Sequence, residues 1–109
     1  MPSPRHLRSG WIVLALAFLL PADAFALRVV TWNILNYPSA SGAAREDDHR
    51  LVIASLHPDV MVVQEVTGTT SAGMTQYLNN VLNTVFPGEY VAGPWINGPD
   101  TNNSLFYRP

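Results

Sequence analysis

The fold is decided by Leu-Arg-Val-Val-Thr-Trp-Asn-Ile-Leu at positions 27–35 and Asp-Val-Met-Val-Val-Gln-Glu-Val at positions 59–66. The first run is β-branched, aromatic or apolar and contains neither glycine nor proline, which favours a strand. The second is continuously apolar at its centre, which is typical of a strand buried on both faces of a helix-covered sheet. Asn33 and Glu65 stand near the outgoing ends of the two runs.

A helix is predicted between these strands, from a start between Ala43 and Glu46 to about Leu56. The acidic residues at 46–48 complement the helix dipole, and Pro58 ends the helix. We expect its inward side to comprise Ala44, Asp48, Leu51, Val52, Ser55 and Leu56. A strand, a helix and a strand of these lengths fit a right-handed parallel crossover, so the predicted class is α/β.

A second helix shows the clearest periodicity in the chain. Thr70 or Ser71 can cap its start, and Phe-Pro-Gly at positions 86–88 ends it. We interpret its apolar stripe as core packing: Met74, Tyr77, Leu78, Val81, Leu82 and Val85. A short strand at 89–92, a loop at 93–103 and a strand at 104–108 follow.

Residues 1–26 are predicted to be a secretory signal peptide. Basic residues at 5, 6 and 8 precede an apolar run at 11–20, and small-x-small cleavage sites end at Ala24 and Ala26. A membrane anchor is the alternative, but a spanning helix needs about 18 or more apolar residues. We therefore expect export to the periplasm or the medium without a stable membrane anchor, and a mature domain at 27–109.

Composition narrows the possible functions. The chain has 109 residues, which allows at most one domain, and it lacks cysteine, which excludes disulfides and thiolate sites. Its formal charge is −2, and removing Arg5, Arg8 and Asp23 leaves four basic and seven acidic residues, a net charge of −3. Binding to nucleic acid through a basic stripe is disfavoured.

Asn33 and Glu65 are the candidate site residues. The outgoing ends of parallel strands meet at one sheet edge, about 4.8 Å apart, where open α/β sheets bind ligands. Carboxylate and amide oxygens suit Mg²⁺. The ordinary alternative also fits, because asparagine favours turns and strand ends emerge into water. Position alone leaves both interpretations open.

The residues at 27–36 and 58–66 resemble the opening of the endonuclease/exonuclease/phosphatase superfamily, which includes deoxyribonuclease I, exonuclease III, neutral sphingomyelinases and inositol polyphosphate 5-phosphatases. The matching motifs are Thr-Trp-Asn at 31–33 and Gln-Glu at 64–65. The resemblance implies that Glu65 binds a catalytic Mg²⁺ (or Mn²⁺ or Ca²⁺) with Asn33 beside it. Residues 104–108 resemble the next strand of that family.

The resemblance also implies a fold and a reaction. Residues 27–109 would be the N-terminal part of a four-layered, deoxyribonuclease I-like α/β sandwich, incomplete in this chain. The function would be metal-dependent hydrolysis of a phosphoester: nucleic acid, a phospholipid headgroup or a small phosphodiester. The later family motifs have no counterpart here, namely a histidine paired with aspartate, an Asp-x-Asn segment and a terminal Asp-His. The 109-residue chain alone is therefore expected to be inactive.

Other ionisable residues are given ordinary roles. His49 and His57 are expected to be structural or solvated, and Arg45 and Arg50 to be solvated or paired with neighbouring acids at 46 and 47. An alternative function is a non-catalytic binding module, or a degenerate relative that keeps the fold. A further alternative is that the 109 residues are an incomplete gene model or a fragment from the edge of a contig, which would leave the enzyme interpretation intact for the full protein.

Overall fold

The computed structural model describes Pro2 and residues 25–39 and 41–109. Most of the predicted signal peptide lies outside the described residues. Four strands form one sheet in the order β1-β2-β4-β3: β1 (Val29–Tyr37), β2 (Val60–Val66), β3 (Val91–Ala92) and β4 (Asn102–Tyr107). β1 is parallel to β2, and β4 is antiparallel to β2 and β3. The predicted α/β class and parallel strand pair are confirmed.

Helices occupy both predicted places. A 3₁₀ turn (Ala43–Arg45) leads into α1 (Glu46–Leu56). The second helical segment is α2 (Ala72–Tyr77), a π-helical stretch (Leu78–Leu82) and α3 (Asn83–Val85). Within the described part of the chain, no helix is long and apolar enough to cross a bilayer.

The core lies between one sheet face and the helices. The Tyr77 ring packs edge-on against Tyr37, with centroids 5.1 Å apart, and lies 5.7 Å from Phe106 of β4. The predicted stripe of the second helix is confirmed, because its members are buried or packed against the core. The fully buried aliphatic residues include Ile34, Ile53, Met61, Val63, Val66, Val81 and Leu82.

The opposite sheet face is open. Val29 is 62% exposed, Leu105 and Tyr107 are each 38% exposed, and Val60 and Val62 are partly exposed. The prediction that β2 is buried on both faces is therefore wrong, because the described helices cover only one face. The described residues form two layers, one of strands and one of helices.

The inward side predicted for α1 is also wrong. His49 and Ile53 are buried, whereas Leu51 is 72% exposed and Leu56 is 40% exposed. Aromatic packing sets the orientation of the helix, since the His49 ring lies 4.6 Å from the Trp32 ring. The polar side chains flanking His49 on α1 hydrogen-bond to the second helical segment. A pattern of aliphatic residues alone does not reveal such a face.

Candidate functional site

Asn33 and Glu65 lie side by side at the outgoing edge of the two parallel strands. Asn33 pairs in register with Gln64, so Glu65 stands one residue further along β2. The Asn33 Nδ2 donates a hydrogen bond to Glu65 Oε1 at 2.8 Å. The predicted convergence of the two side chains is confirmed, and their roles in metal binding stay predictions.

Glu65 occupies an irregular point in β2. The β2–β4 register shifts between Val63 and Val66, and Glu65 has a φ of 62°. A left-handed backbone at a residue other than glycine costs about 1–2 kcal/mol, and such residues cluster at functional sites. A bulge re-aims a side chain, so the Glu65 carboxylate leaves the regular alternation of the strand.

β1 is irregular at the same level. Its register with β2 is interrupted between Asn33 and Tyr37, and φ is 45° at Leu35 and 54° at Asn36. The Leu35 N–H donates to Asn33 Oδ1 at 2.9 Å, as in turns that an asparagine side chain stabilises. The Asn33 oxygen therefore holds the β1 turn, while its nitrogen holds Glu65.

A second polar pair joins the strands one step earlier. Thr31 stands two residues before Asn33 on β1, and the Gln64 Nε2 donates to Thr31 Oγ1 at 2.8 Å. This cross-strand bond occupies the Gln64 amide and aligns β1 with β2 immediately before the site. Of the Gln64-Glu65 pair, only the carboxylate is directed at Asn33.

The oxygen donors around Glu65 fit one hard cation that keeps several waters. Glu65 is partly exposed, and its Oε2 makes no hydrogen bond to another described residue. In the described ranges, no group of three or more His, Cys, Asp or Glu side chains is arranged to hold a metal. Mg²⁺ is ordinarily bound through one or two carboxylates and water. The pair suits an open, largely hydrated site.

The two described histidines serve the fold. His49 is 3% exposed and packs against Trp32 and Tyr77, with ring centroids at 4.6 and 5.7 Å. Burial lowers the pKa of His49 below its ordinary value. His57 follows α1, and its Nε2 lies 2.8 Å from Glu89 Oε2. The structural role expected for His49 is confirmed.

Tyr37 locks the end of β1 to the helices. Its hydroxyl donates to Glu46 Oε1 at 2.7 Å, and the same oxygen accepts from Gln76 Nε2 at 3.1 Å and Asn80 Nδ2 at 3.3 Å. Although burial alone would raise it, these hydrogen bonds hold the pKa of Glu46 below its ordinary value. Burial raises the pKa of Tyr37 far above its usual range, so its hydroxyl remains a donor.

The two helix arginines differ. Arg50 pairs with Glu46 at 3.7 Å and with Asp47, as predicted. Of the two roles predicted for Arg45, solvation or pairing with an acid, the pairing is not found: within the described chain Arg45 forms no ion pair and donates instead to the backbone carbonyls of Ile34, Leu35 and Ser41. Sequence gave no sign of this, because the acceptors are main-chain oxygens.

Asn102 was missed as an anchor for the loops beside the site. It is 2% exposed, and its Nδ2 donates to the carbonyls of Val66 at 3.0 Å and Gly68 at 2.8 Å. Its Oδ1 accepts from the Gly98 N–H. Asn102 falls in the loop predicted at 93–103, so no sequence pattern marks its inward position at the start of β4, where a buried polar group needs partners.

A cavity of about 550 Å³ lies on the open sheet face, beneath the loop before β4. Its walls are apolar or uncharged and include Val62, Ile96, Asn103 and Leu105. Neither Asn33 nor Glu65 lines it. The cavity is therefore separate from the polar pair.

Comparisons of this chain with protein-family models, with curated proteins and with solved structures found no match.

Proposed function

We propose that this chain carries the metal-binding part of a metal-dependent phosphoester hydrolase, a phosphodiesterase or nuclease of the endonuclease/exonuclease/phosphatase type. The observation that supports the proposal is the 2.8 Å hydrogen bond between Asn33 and Glu65 at the shared edge of parallel strands. The left-handed backbone at Glu65 adds support, because strain of this kind is concentrated at functional sites. The motif resemblance supplies the reaction class.

Glu65 would hold the metal through Oε2, because Oε1 is occupied by Asn33. The Asn33 amide fixes the orientation of the carboxylate, and its predicted role as a second, weaker ligand would use the free lone pair of Oδ1. Mg²⁺, Mn²⁺ and Ca²⁺ all accept such oxygen donors. When bound, the cation would stabilise charge that develops on the phosphoryl oxygens during attack by water.

The proposal leaves water activation to other groups. Among the described residues, no histidine or second carboxylate hydrogen-bonds to Asn33 or Glu65. The resemblance assigns proton transfer to motifs that this sequence lacks, so the 109-residue chain is proposed to bind metal without hydrolysing a phosphoester. The substrate class stays broad: nucleic acid, phospholipid headgroup or small phosphodiester. Export by a signal peptide is part of the same proposal.

The proposed fold extends the observed sheet. In a four-layered sandwich a second sheet would cover the face that carries Val29, Leu105 and Tyr107. Their exposures of 62%, 38% and 38% support this arrangement, since apolar side chains clustered on one face ordinarily mark a contact surface.

Titration with Mn²⁺ tests the metal assignment. Electron paramagnetic resonance of the 109-residue chain should show one saturable Mn²⁺ site that Mg²⁺ displaces. Glu65→Gln should abolish this phase, because it removes the carboxylate charge while keeping the side-chain shape. Glu89→Gln is the matched control, since Glu89 is a similarly accessible carboxylate in an ion-paired cluster away from Asn33.

Absence of the saturable phase in the wild-type chain, or its persistence in Glu65→Gln, would overturn the metal role. The binding-module alternative has a separate outcome. A protein that joins this chain to the later family motifs, binds Mn²⁺ at Glu65 and still fails to cleave bis(p-nitrophenyl) phosphate would favour binding over catalysis.

A further inference from the structure

Arg45 makes three hydrogen bonds to the main chain around the site. Its Nη2 donates to the Leu35 carbonyl at 2.8 Å and to the Ile34 carbonyl at 3.1 Å. Its Nε donates to the Ser41 carbonyl at 3.2 Å. The side chain is half-buried. A planar guanidinium can hold several acceptors in one fixed arrangement, which a lysine ammonium cannot reproduce.

These acceptors belong to the irregular part of β1. The β1–β2 register is interrupted between Asn33 and Tyr37, so Ile34 and Leu35 lie outside the paired positions of the ladder. Leu35 is also held at a φ of 45°. Strained backbone of this kind persists only where its surroundings fix it. Arg45 brings its positive charge within hydrogen-bond distance of these two carbonyls.

A continuous path runs from Arg45 to the candidate metal ligand. Leu35 accepts from Arg45 through its carbonyl and donates through its N–H to Asn33 Oδ1 at 2.9 Å. Asn33 then donates to Glu65 Oε1 at 2.8 Å. The Ile34 carbonyl, which Arg45 also binds, belongs to the same peptide group as the Leu35 N–H, so a change at the guanidinium acts on that peptide group before it acts on the carboxylate.

We propose that Arg45 is the positioning residue of the Asn33–Glu65 pair: it clamps the left-handed turn of β1 and thereby sets the direction of the Asn33 amide. The expected effect of Arg45 on metal affinity rests on the proposed function. The expected effect of Arg45 on the orientation of the Asn33 amide is independent of that function. Residues that orient a metal ligand from behind typically change affinity by about 10–100-fold when replaced.

Arg50 offers a matched control on the neighbouring helix. It pairs with Glu46 and Asp47 and donates to the Asn80 carbonyl, so its contacts join the helices to one another. No described hydrogen bond joins Arg50 directly to β1; it reaches β1 only through Glu46, which accepts from the hydroxyl of Tyr37 at the last position of the strand. Arg45→Met and Arg50→Met remove the same charge and the same donors from adjacent turns, but only Arg45→Met should disturb the site.

The experiment uses nitrogen-15 NMR of the metal-free 109-residue chain, followed by Mn²⁺ titration. In Arg45→Met the Asn33 side-chain amide signals should move toward their free positions, and the Leu35 N–H should lose protection from hydrogen exchange. Mn²⁺ affinity should fall about tenfold. Arg50→Met should leave all three readouts at wild-type values, even if it lowers overall stability.

Unchanged Asn33 and Leu35 signals in Arg45→Met would overturn the positioning role. Equal changes in Arg50→Met would also overturn the positioning role, because a general loss of stability would then explain the changes in the Asn33 and Leu35 signals. If Arg45→Met fails to fold, Arg45→Lys replaces it in the test. This variant keeps the positive charge but loses the planar guanidinium with its several donors. Wild-type Asn33 and Leu35 signals in Arg45→Lys would contradict the positioning role of Arg45. If the wild-type chain binds no Mn²⁺, the proposed function fails, while the amide signals still decide the role of Arg45.

Discussion

The two ends of the parallel strand pair are built differently. At the incoming end, Asp59 accepts from the Arg28 N–H at 2.8 Å and from Arg108 Nη1 at 2.9 Å. Arg108 Nε also lies 3.2 Å from Glu89, which lies 2.8 Å from His57. Each of these acids faces a cationic or donor group. At the incoming end the charged side chains therefore pair with one another and connect the strands to the adjacent turns.

Both ends contain left-handed backbone, at His57 (φ 42°) and at Leu35, Asn36 and Glu65, but the two ends differ in how their carboxylates are paired. Glu65 adopts a φ of 62°, and in the described chain it forms no ion pair with Arg or His. Its one described partner is the neutral amide of Asn33. The hydrogen bond from the Arg28 backbone, followed by the charge of Arg108, holds the pKa of Asp59 below its ordinary value. Both oxygens of the Asp59 carboxylate accept hydrogen bonds from described residues, whereas only Oε1 of Glu65 does so.

The largest expected effect is a loss of stability at the outgoing end, because the hydrogen bonds of Asn102 there are more buried than the ion pairs at the incoming end. Asn102→Ala removes a 2% exposed amide that bonds the loops after β2 and before β4. Two carbonyls and one N–H lose partners, at about 1–3 kcal/mol for each group left unsatisfied. We expect the free energy of unfolding in urea to fall by about 3 kcal/mol.

The matched change at the incoming end is Arg108→Gln. Its ion pairs are partly exposed, and exposed pairs contribute about 0.2–1 kcal/mol, which salt screens. The loss should therefore be below 1 kcal/mol and should shrink at high salt. A larger loss for Arg108→Gln than for Asn102→Ala would reverse the contrast between the two ends.

The next effect is a pH dependence that comes from His49. Burial, and secondarily the charge of Arg45, lower the pKa of His49, whereas Asp48 and Glu46 act in the opposite sense. The unfolded chain then binds the proton more readily. The contribution of neutral His49 to the free energy of unfolding is complete above the pKa of histidine in the unfolded chain, about 6.5. It is lost as the pH falls below that pKa. Urea unfolding should show a slope of at most about 1.4 kcal/mol per pH unit.

His49→Phe should remove this slope, since an apolar ring packed against Trp32 has no proton to bind. The contribution of Glu46 is lost only below its ordinary value of 4.5, because its pKa is lowered. A slope between pH 6.5 and 5 that persists in His49→Phe would contradict the assignment.

The smallest effect tests the strain at Glu65. Glu65→Gly and Glu65→Ala both remove the carboxylate, but only glycine adopts a φ of 62° without a steric penalty. The glycine variant should be the more stable of the two by about 1 kcal/mol. At Asp59, which is not among the residues with positive φ, glycine should offer no such gain. Equal stabilities at position 65 would mean that the bulge carries no strain.

Much of the fold could be predicted from local patterns. The runs at 27–35 and 59–66 became parallel strands, and the apolar spacing of 74–85 became a buried helical stripe. The meeting of Asn33 and Glu65 followed from strand direction alone. These predictions succeeded because parallel topology and helical periodicity are set by short segments of chain.

Other features could not be predicted because their partners are distant or belong to the main chain. The inward face of α1 depends on the fit of the His49 ring against Trp32, and aliphatic spacing pointed to the wrong side. For Arg45 the sequence predicts a guanidinium that is solvated or paired with an acid, whereas in the structure it donates to carbonyls of β1. A carbonyl has the same chemistry at every residue, so sequence cannot show which one is free.

The sequence by itself determined that Asn33 and Glu65 stand near the outgoing ends of two neighbouring strands, because apolar runs fix strands and a helix of that length between them fixes their direction. The tertiary structure alone decided the backbone conformation and the hydrogen bonding of the Asn33–Glu65 pair. Left-handed turns at Leu35 and Glu65, the Arg45 clamp and the 2.8 Å hydrogen bond arise where several segments meet. Their energies belong to contacts between segments, and no local pattern encodes them.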